Sequence, residues 1–129
     1  MIRLVDAERE KRIKAYTEAD QRAHTNFSVW IEQEPGSGGK ESAENTLRNL
    51  AGWRCYADRV TGSKRVRAEP FIAQVQGGNV WLLAGQWVQA FLDECEMWPK
   101  GKFNDQVDAA AGAFNKLTTS WFDTSYSWV

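Results

Sequence analysis

Along this chain the apolar residues recur with two different periods, and the changes from one to the other mark out the predicted elements. Between residues 103 and 117, Val107, Ala111, Phe114 and Leu117 recur at three- and four-residue steps, the spacing of one helix face. Residues 7–23 carry a narrower seam of Ile13, Tyr16, Ala19 and Ala23 in a charged background, which predicts a helix with a wide solvated surface. Ala43, Leu47 and Leu50 predict a helix over residues 41–50. Residues 64–76 and 86–97 read as two more, the latter with Trp87, Ala90, Phe91, Glu94 and Cys95 along one side. Pro70 lies within the former and predicts a break or a helix start there.

The remaining apolar runs are short and rich in β-branched and aromatic residues. Residues 27–32, closed by Pro35-Gly36, and residues 53–60 predict strands, and residues 79–83 a third, largely buried one. Helix and strand alternate, which implies an α/β fold with mostly parallel strands. Three strands are few beside a typical sheet of about five, so the sheet reads as incomplete. After Leu117 the chain loses its period, and residues 119–129 are expected to form a loosely ordered tail on a domain spanning 1–118.

Composition narrows the classes. A chain of 129 residues with 43% apolar and 26% charged content is expected to fold as one soluble domain. It holds no apolar run near the roughly 20 residues of a membrane span, and its first residues lack the apolar core of a signal peptide. Cys55 and Cys95 form no Cys-x-x-Cys and suggest neither a disulfide scaffold nor a zinc site, so a reducing cytoplasm is expected. A net charge of −1 argues against coating nucleic acid through bulk charge, but leaves room for a nuclease whose acidic ligands offset a basic surface. The seven tryptophans fit core packing better than a stacking surface.

Candidate chemistry lies in two acidic stretches. Asp105 and Asp108 sit three residues apart at the start of the last helix, where the helix macrodipole also favours acids. Glu32 and Glu34 close the first strand and project to one side of it. Carboxylates from elements distant in sequence can together hold a hard cation such as Mg²⁺. Gly36-Ser37-Gly38-Gly39-Lys40 invites a phosphate-loop reading, but Glu34 stands where the first glycine is needed and Glu41 replaces the hydroxyl residue, so no ATP site is expected. Lys40, Arg59, Lys64, Arg67, Lys100 and Lys102 fall in or beside loops, as DNA-phosphate contacts or as solubilising charge. His24, the single histidine, reads as a surface residue.

Three blocks, in order, resemble large terminase subunits of tailed bacteriophages and prophages. They are Glu32-Gln33-Glu34-Pro35-Gly36-Ser37-Gly38-Gly39-Lys40-Glu41-Ser42-Ala43-Glu44; Arg67-Ala68-Glu69-Pro70-Phe71 with Ala73-Gln74-Val75 and Gly78-Asn79-Val80; and Gly101-Lys102-Phe103-Asn104-Asp105-Gln106-Val107-Asp108-Ala109 running on to Leu117. The resemblance implies a ribonuclease H-like nuclease fold with a mixed sheet flanked by helices. It also implies endonuclease activity on concatemeric double-stranded DNA during genome packaging, with two Mg²⁺ or Mn²⁺ ions. It makes Glu34, or else Glu32, the mid-sheet ligand and Asp105 the last acid, with Asp108 an auxiliary ligand or a structural acid. The family's first metal-binding aspartate has no counterpart here, Asp6 being wrongly placed, and the ATPase half has none either. The expectation is therefore a partial nuclease domain lacking its first strands, in the cytoplasm of a bacterial host. An exposed sheet edge would favour a homodimer or a completing partner: the missing terminase part, the small terminase subunit or the portal. An inactive prophage remnant and a DNA-binding or oligomerising module are the alternatives.

Overall fold

The structure, a computed structural model, describes residues 6–24, 26–59, 62–102 and 104–122. Thr25, Val60, Thr61 and Phe103, which the sequence reading placed at turns and element ends, lie outside these, as do 123–129 of the expected tail. The chain divides into two units, Met1–Thr61 and Gly62–Val129. The α/β class holds, and among the described residues the strands lie in the first unit and the second unit is helical.

The first unit runs α1 (Asp6–Ala23), β1 (Val29–Gln33), α2 (Ser37–Asn49) and β2 (Cys55–Arg59). β1 and β2 are parallel, with Val29 opposite Cys55 and Gln33 opposite Arg59, and α2 is the crossover that parallel pairing demands. Val29, Ile31 and Gln33 are half-buried while Trp30 and Glu32 are exposed, the two-residue alternation of a sheet covered on one side. Ala43 and Thr46 of α2, and Leu50 just after it, are buried. α2 begins at Ser37, not at the expected residue 41, because Gly36 takes a backbone conformation (φ 95°, ψ 171°) that in practice only glycine adopts and turns the chain straight from strand into helix.

Of the expected apolar seam of α1 only Ile13 is half-buried. Tyr16 is 69% exposed and Ala19 and Ala23 are also exposed, whereas Thr17 is buried. The inner face instead carries polar groups at helical spacing. Glu10 accepts from Thr46 Oγ1 at 2.7 Å and from Asn49 Nδ2 at 3.1 Å, and Gln21 Oε1 accepts from Trp53 Nε1 at 2.9 Å. A search for apolar periodicity does not register such a seam.

The second unit consists of α3 (Lys64–Gln76), α4 (Val88–Met97) and α5 (Asp105–Phe122). Ser63 caps α3 by accepting from the Val66 N–H at 3.1 Å. Ala68, Phe71, Phe91 and Ala111 form the core, and Val107 is fully buried. Three of the four residues of the predicted α5 stripe face inwards; Leu117 is 67% exposed, and the helix continues beyond it to Phe122. α4 begins at Val88, so Trp87 precedes it, and both Trp87 and Ala90 are exposed. The break expected at Pro70 is absent. Proline leaves one carbonyl of the preceding turn without its amide, and next to that position Asn115 Nδ2 donates to the Arg67 carbonyl at 2.9 Å, tying α5 to α3.

The third predicted strand is corrected too. Residues 79–84 are irregular: Val80 and Leu82 pack on the helical core while Trp81 and Leu83 are each 84% exposed. The alternation is real, but no neighbouring strand among the described residues takes up its hydrogen bonds, so the sheet has two strands and is parallel rather than mixed. Among the described residues no helix is long and apolar enough to cross a membrane.

Both cysteines are half-buried. Burial raises the Cys55 thiol pKa above its ordinary 9.0, partly offset by a hydrogen bond from the Tyr56 backbone. Burial, reinforced by the Glu94 charge, raises that of Cys95. The unfolded chain therefore loses these protons first. The associated stability is fully present below pH 9.0 and is lost as pH rises through the raised folded values. Melting temperatures measured between neutral and alkaline pH should fall less steeply in a Cys55→Ala, Cys95→Ala double variant than in the parent chain.

Candidate functional site

In the first unit the carboxylates lie at the C-terminal ends of the two parallel strands, where open α/β sheets place their ligands. Glu32 is exposed on β1 and stands opposite Asp58 of β2, so two carboxylates share one row of the uncovered sheet face. Asp58 did not emerge from the sequence. Its place on one side of β2 was readable from alternation, but its pairing with Glu32 depends on the register. Glu34 is exposed just beyond β1, with its carboxylate in no hydrogen bond or ion pair among the described residues. Glu32 and Glu34 both line a cleft of about 370 Å³ within this unit, together with Arg9, Gly38 and Ser42.

The glycine-rich stretch that suggested a phosphate loop has a packing role. A Cβ on Gly39 would overlap the carbonyl oxygen of Glu34, so the missing side chain lets the first turn of α2 lie directly on the end of β1. Lys40 is consequently on a helix rather than in a loop, 4.0 Å from Glu44 one turn on. Arg59 is exposed at the end of β2.

In the second unit Asp105 is the first residue of α5, exposed and without a hydrogen-bond or ion-pair partner among the described residues. Asp108 is placed differently. Its side chain is 16% exposed, and its Oδ2 lies 3.0 Å from Lys64 Nζ, so these two predicted site residues hold each other and tie α3 to α5. Arg67 is half-buried on α3, and Lys100 and Lys102 are exposed in the turn after α4. His24 is exposed, as expected.

Glu94 of α4 is a second residue that sequence reasoning missed in this role. Its Oε1 accepts from the Val107 N–H at 2.9 Å and its Oε2 accepts from Gln106 Nε2 at 3.0 Å. A carboxylate from a neighbouring helix thus caps the turn that carries Asp105, with the charge the macrodipole favours. Asn104, in the N-cap position, has its Oδ1 buried with no partner, since Glu94 has taken the amide it would have served.

Oxygen donors such as these suit a hard cation, and Mg²⁺ is usually held by one or two carboxylates, with waters and substrate phosphates completing its shell. The Glu32–Asp58 row fits that pattern. Among the described residues no group of three or more His, Cys, Asp and Glu side chains gathers as a ready-made metal cage.

A family model described as a terminase RNaseH-like domain matches residues 2–117. No curated protein and no solved structure matches the chain.

Two substitutions test how the acids are positioned. Helix propensity alone would make Gly39→Ala stabilising by up to about 1 kcal/mol. The overlap with the Glu34 carbonyl predicts the opposite sign, a loss of about 1–3 kcal/mol in urea unfolding. Glu94→Ala should cost about 0.5–2 kcal/mol by the same measurement, and Glu94→Gln, which keeps an acceptor for the Val107 amide, distinctly less.

Proposed function

As the chain belongs to the terminase RNaseH-like domain family, we propose that it is a metal-dependent endonuclease module that cuts concatemeric double-stranded DNA during genome packaging. The observation that carries the reading within the fold is the pairing of Glu32 with Asp58 at the carboxyl ends of two parallel strands. Glu32 and Asp58 are the sheet carboxylates assigned to metal binding, with Glu34 beside them beyond the strand end. Asp105 at the start of α5 is the further acid, and Asp108 is structural, held by Lys64. Two divalent cations, Mg²⁺ or Mn²⁺, supply when bound the activation of a water and the stabilisation of the leaving oxygen.

The chain's own residues then have distinct tasks. The carboxylates would hold the cations, which would supply positive charge at the DNA phosphate. Exposed Arg59, Lys100 and Lys102, with Lys40, are the basic groups best placed for sequence-independent backbone contacts. Lys64 serves the fold of the second unit first, since it pairs with Asp108, whereas Arg67 is half-buried with its Nε making no hydrogen bond among the described residues. Proposed partners beyond DNA are the rest of the terminase, its small subunit, the portal or a second copy. A non-cutting DNA-binding or oligomerising module is the second reading, favoured by the lack of a three-carboxylate group among the described residues.

Nicking of supercoiled plasmid with Mn²⁺ decides between these. On the nuclease reading the chain nicks, and Asp105→Ala and Glu32→Ala each lower the rate by at least about a hundredfold while remaining folded by circular dichroism. Folded parent protein that nicks no faster than the Asp105→Ala variant would leave the non-cutting module.

A further inference from the structure

The uncovered face of the β1–β2 sheet carries aromatic rings beside its carboxylates. Trp30 stands opposite Tyr56, with ring centroids 4.8 Å apart and planes tilted by 32°. The two residues are 41% and 45% exposed, and Trp30 Nε1 donates to Ser28 Oγ at 3.0 Å, which orients the indole. Glu32 and Asp58 form the next row on the same face, two residues further along each strand and so about 7 Å away. Two oriented rings, the exposed Glu32 and the half-buried Asp58 therefore lie side by side on one face of the sheet.

We propose that Trp30 and Tyr56 form a stacking platform for an unpaired nucleobase of a DNA strand whose adjacent phosphate lies over Glu32 and Asp58. The proposal rests on the nuclease reading and adds the form of its substrate: DNA locally opened at the cutting site. Stacking on such rings tolerates any base, because every base has a π-face, and leaves the polar edges of the base in water. The neighbouring row decides the class of occupant. An apolar protein surface laid over the rings would also strip water from the exposed Glu32 carboxylate, at a cost the rings' burial would not offset. A nucleic-acid strand meets both rows, offering a base to the rings and, through a divalent cation, a phosphate to the carboxylates.

The test uses the full chain with Ca²⁺, reading fluorescence anisotropy of a labelled short oligothymidylate and of a duplex of equal length. Trp30→Ala and Tyr56→Ala should each weaken single-strand binding by about tenfold or more, and duplex binding much less. Trp30→Phe, which keeps a ring in place, should retain most of the affinity and guards against misreading a folding defect. A folded Trp30→Ala variant that binds oligothymidylate like the parent overturns the platform; if Mn²⁺-dependent plasmid nicking persists alongside, the nuclease reading survives without it. Weakened oligothymidylate binding with no nicking by the parent supports stacking on the rings but removes the nuclease reading and, with it, the cutting-site role proposed for the platform. Sedimentation showing that Trp30→Ala abolishes self-association while leaving oligothymidylate binding intact would make the face an interface between copies and overturn the proposal.

Discussion

Parallel strands cannot be joined by a tight turn, and that constraint governs the first unit. The end of β1 and the start of β2 are separated by the length of the sheet, so the chain needs a crossover, and α2 supplies it. Everything that places the carboxylates follows from how closely that helix can approach the strand it leaves. Gly36 makes the turn in a conformation closed to other residues, and Gly39 lets the helix backbone rest on the Glu34 carbonyl. Within this unit α2 covers one face of the sheet, and the other carries Trp30, Tyr56, Glu32 and Asp58.

The second unit meets a similar demand by other means. The first turn of α5 carries Asp105, and the Asn104 side chain does not cap it. Glu94 reaches from α4 to close that turn, and the Lys64–Asp108 pair ties the same end of α5 to the start of α3. A half-buried ion pair of this kind contributes more to orientation than to net stability, because desolvation offsets much of its attraction. The apolar core behind it, Phe71, Phe91 and Ala111, supplies the cohesion.

What could be read from the chain divides along the same physical lines. The five helices and two strands of the described residues were visible as periodic patterns, and the family was visible in three short blocks that lie within the matched span. The errors arose where a local pattern depended on a distant partner. Residues 79–83 alternate like a strand, but a strand exists only if a neighbour pairs with it. The α1 face was misread because its anchors, Glu10 and Gln21, are polar. Among candidate site residues, Glu32, Glu34 and Asp105 are exposed acids, whereas Asp108 and Lys64 are each other's partners. Asp58 and Glu94 escaped notice because their roles come from strand register and helix packing.

The polar seam of α1 has a consequence for how the first unit comes apart. With Tyr16, Ala19 and Ala23 exposed and Ile13 half-buried, α1 is tied to its unit by a carboxylate, a hydroxyl, an amide and an indole N–H, so releasing it exposes little of its apolar seam. Its detachment carries a small heat-capacity increment and a small denaturant dependence. It is therefore the segment most suited to open as a separate step while β1, α2 and β2 stay paired. Arg9 and Glu34 line a common cleft, so fraying of α1 would change access to that cleft without any rearrangement of the sheet.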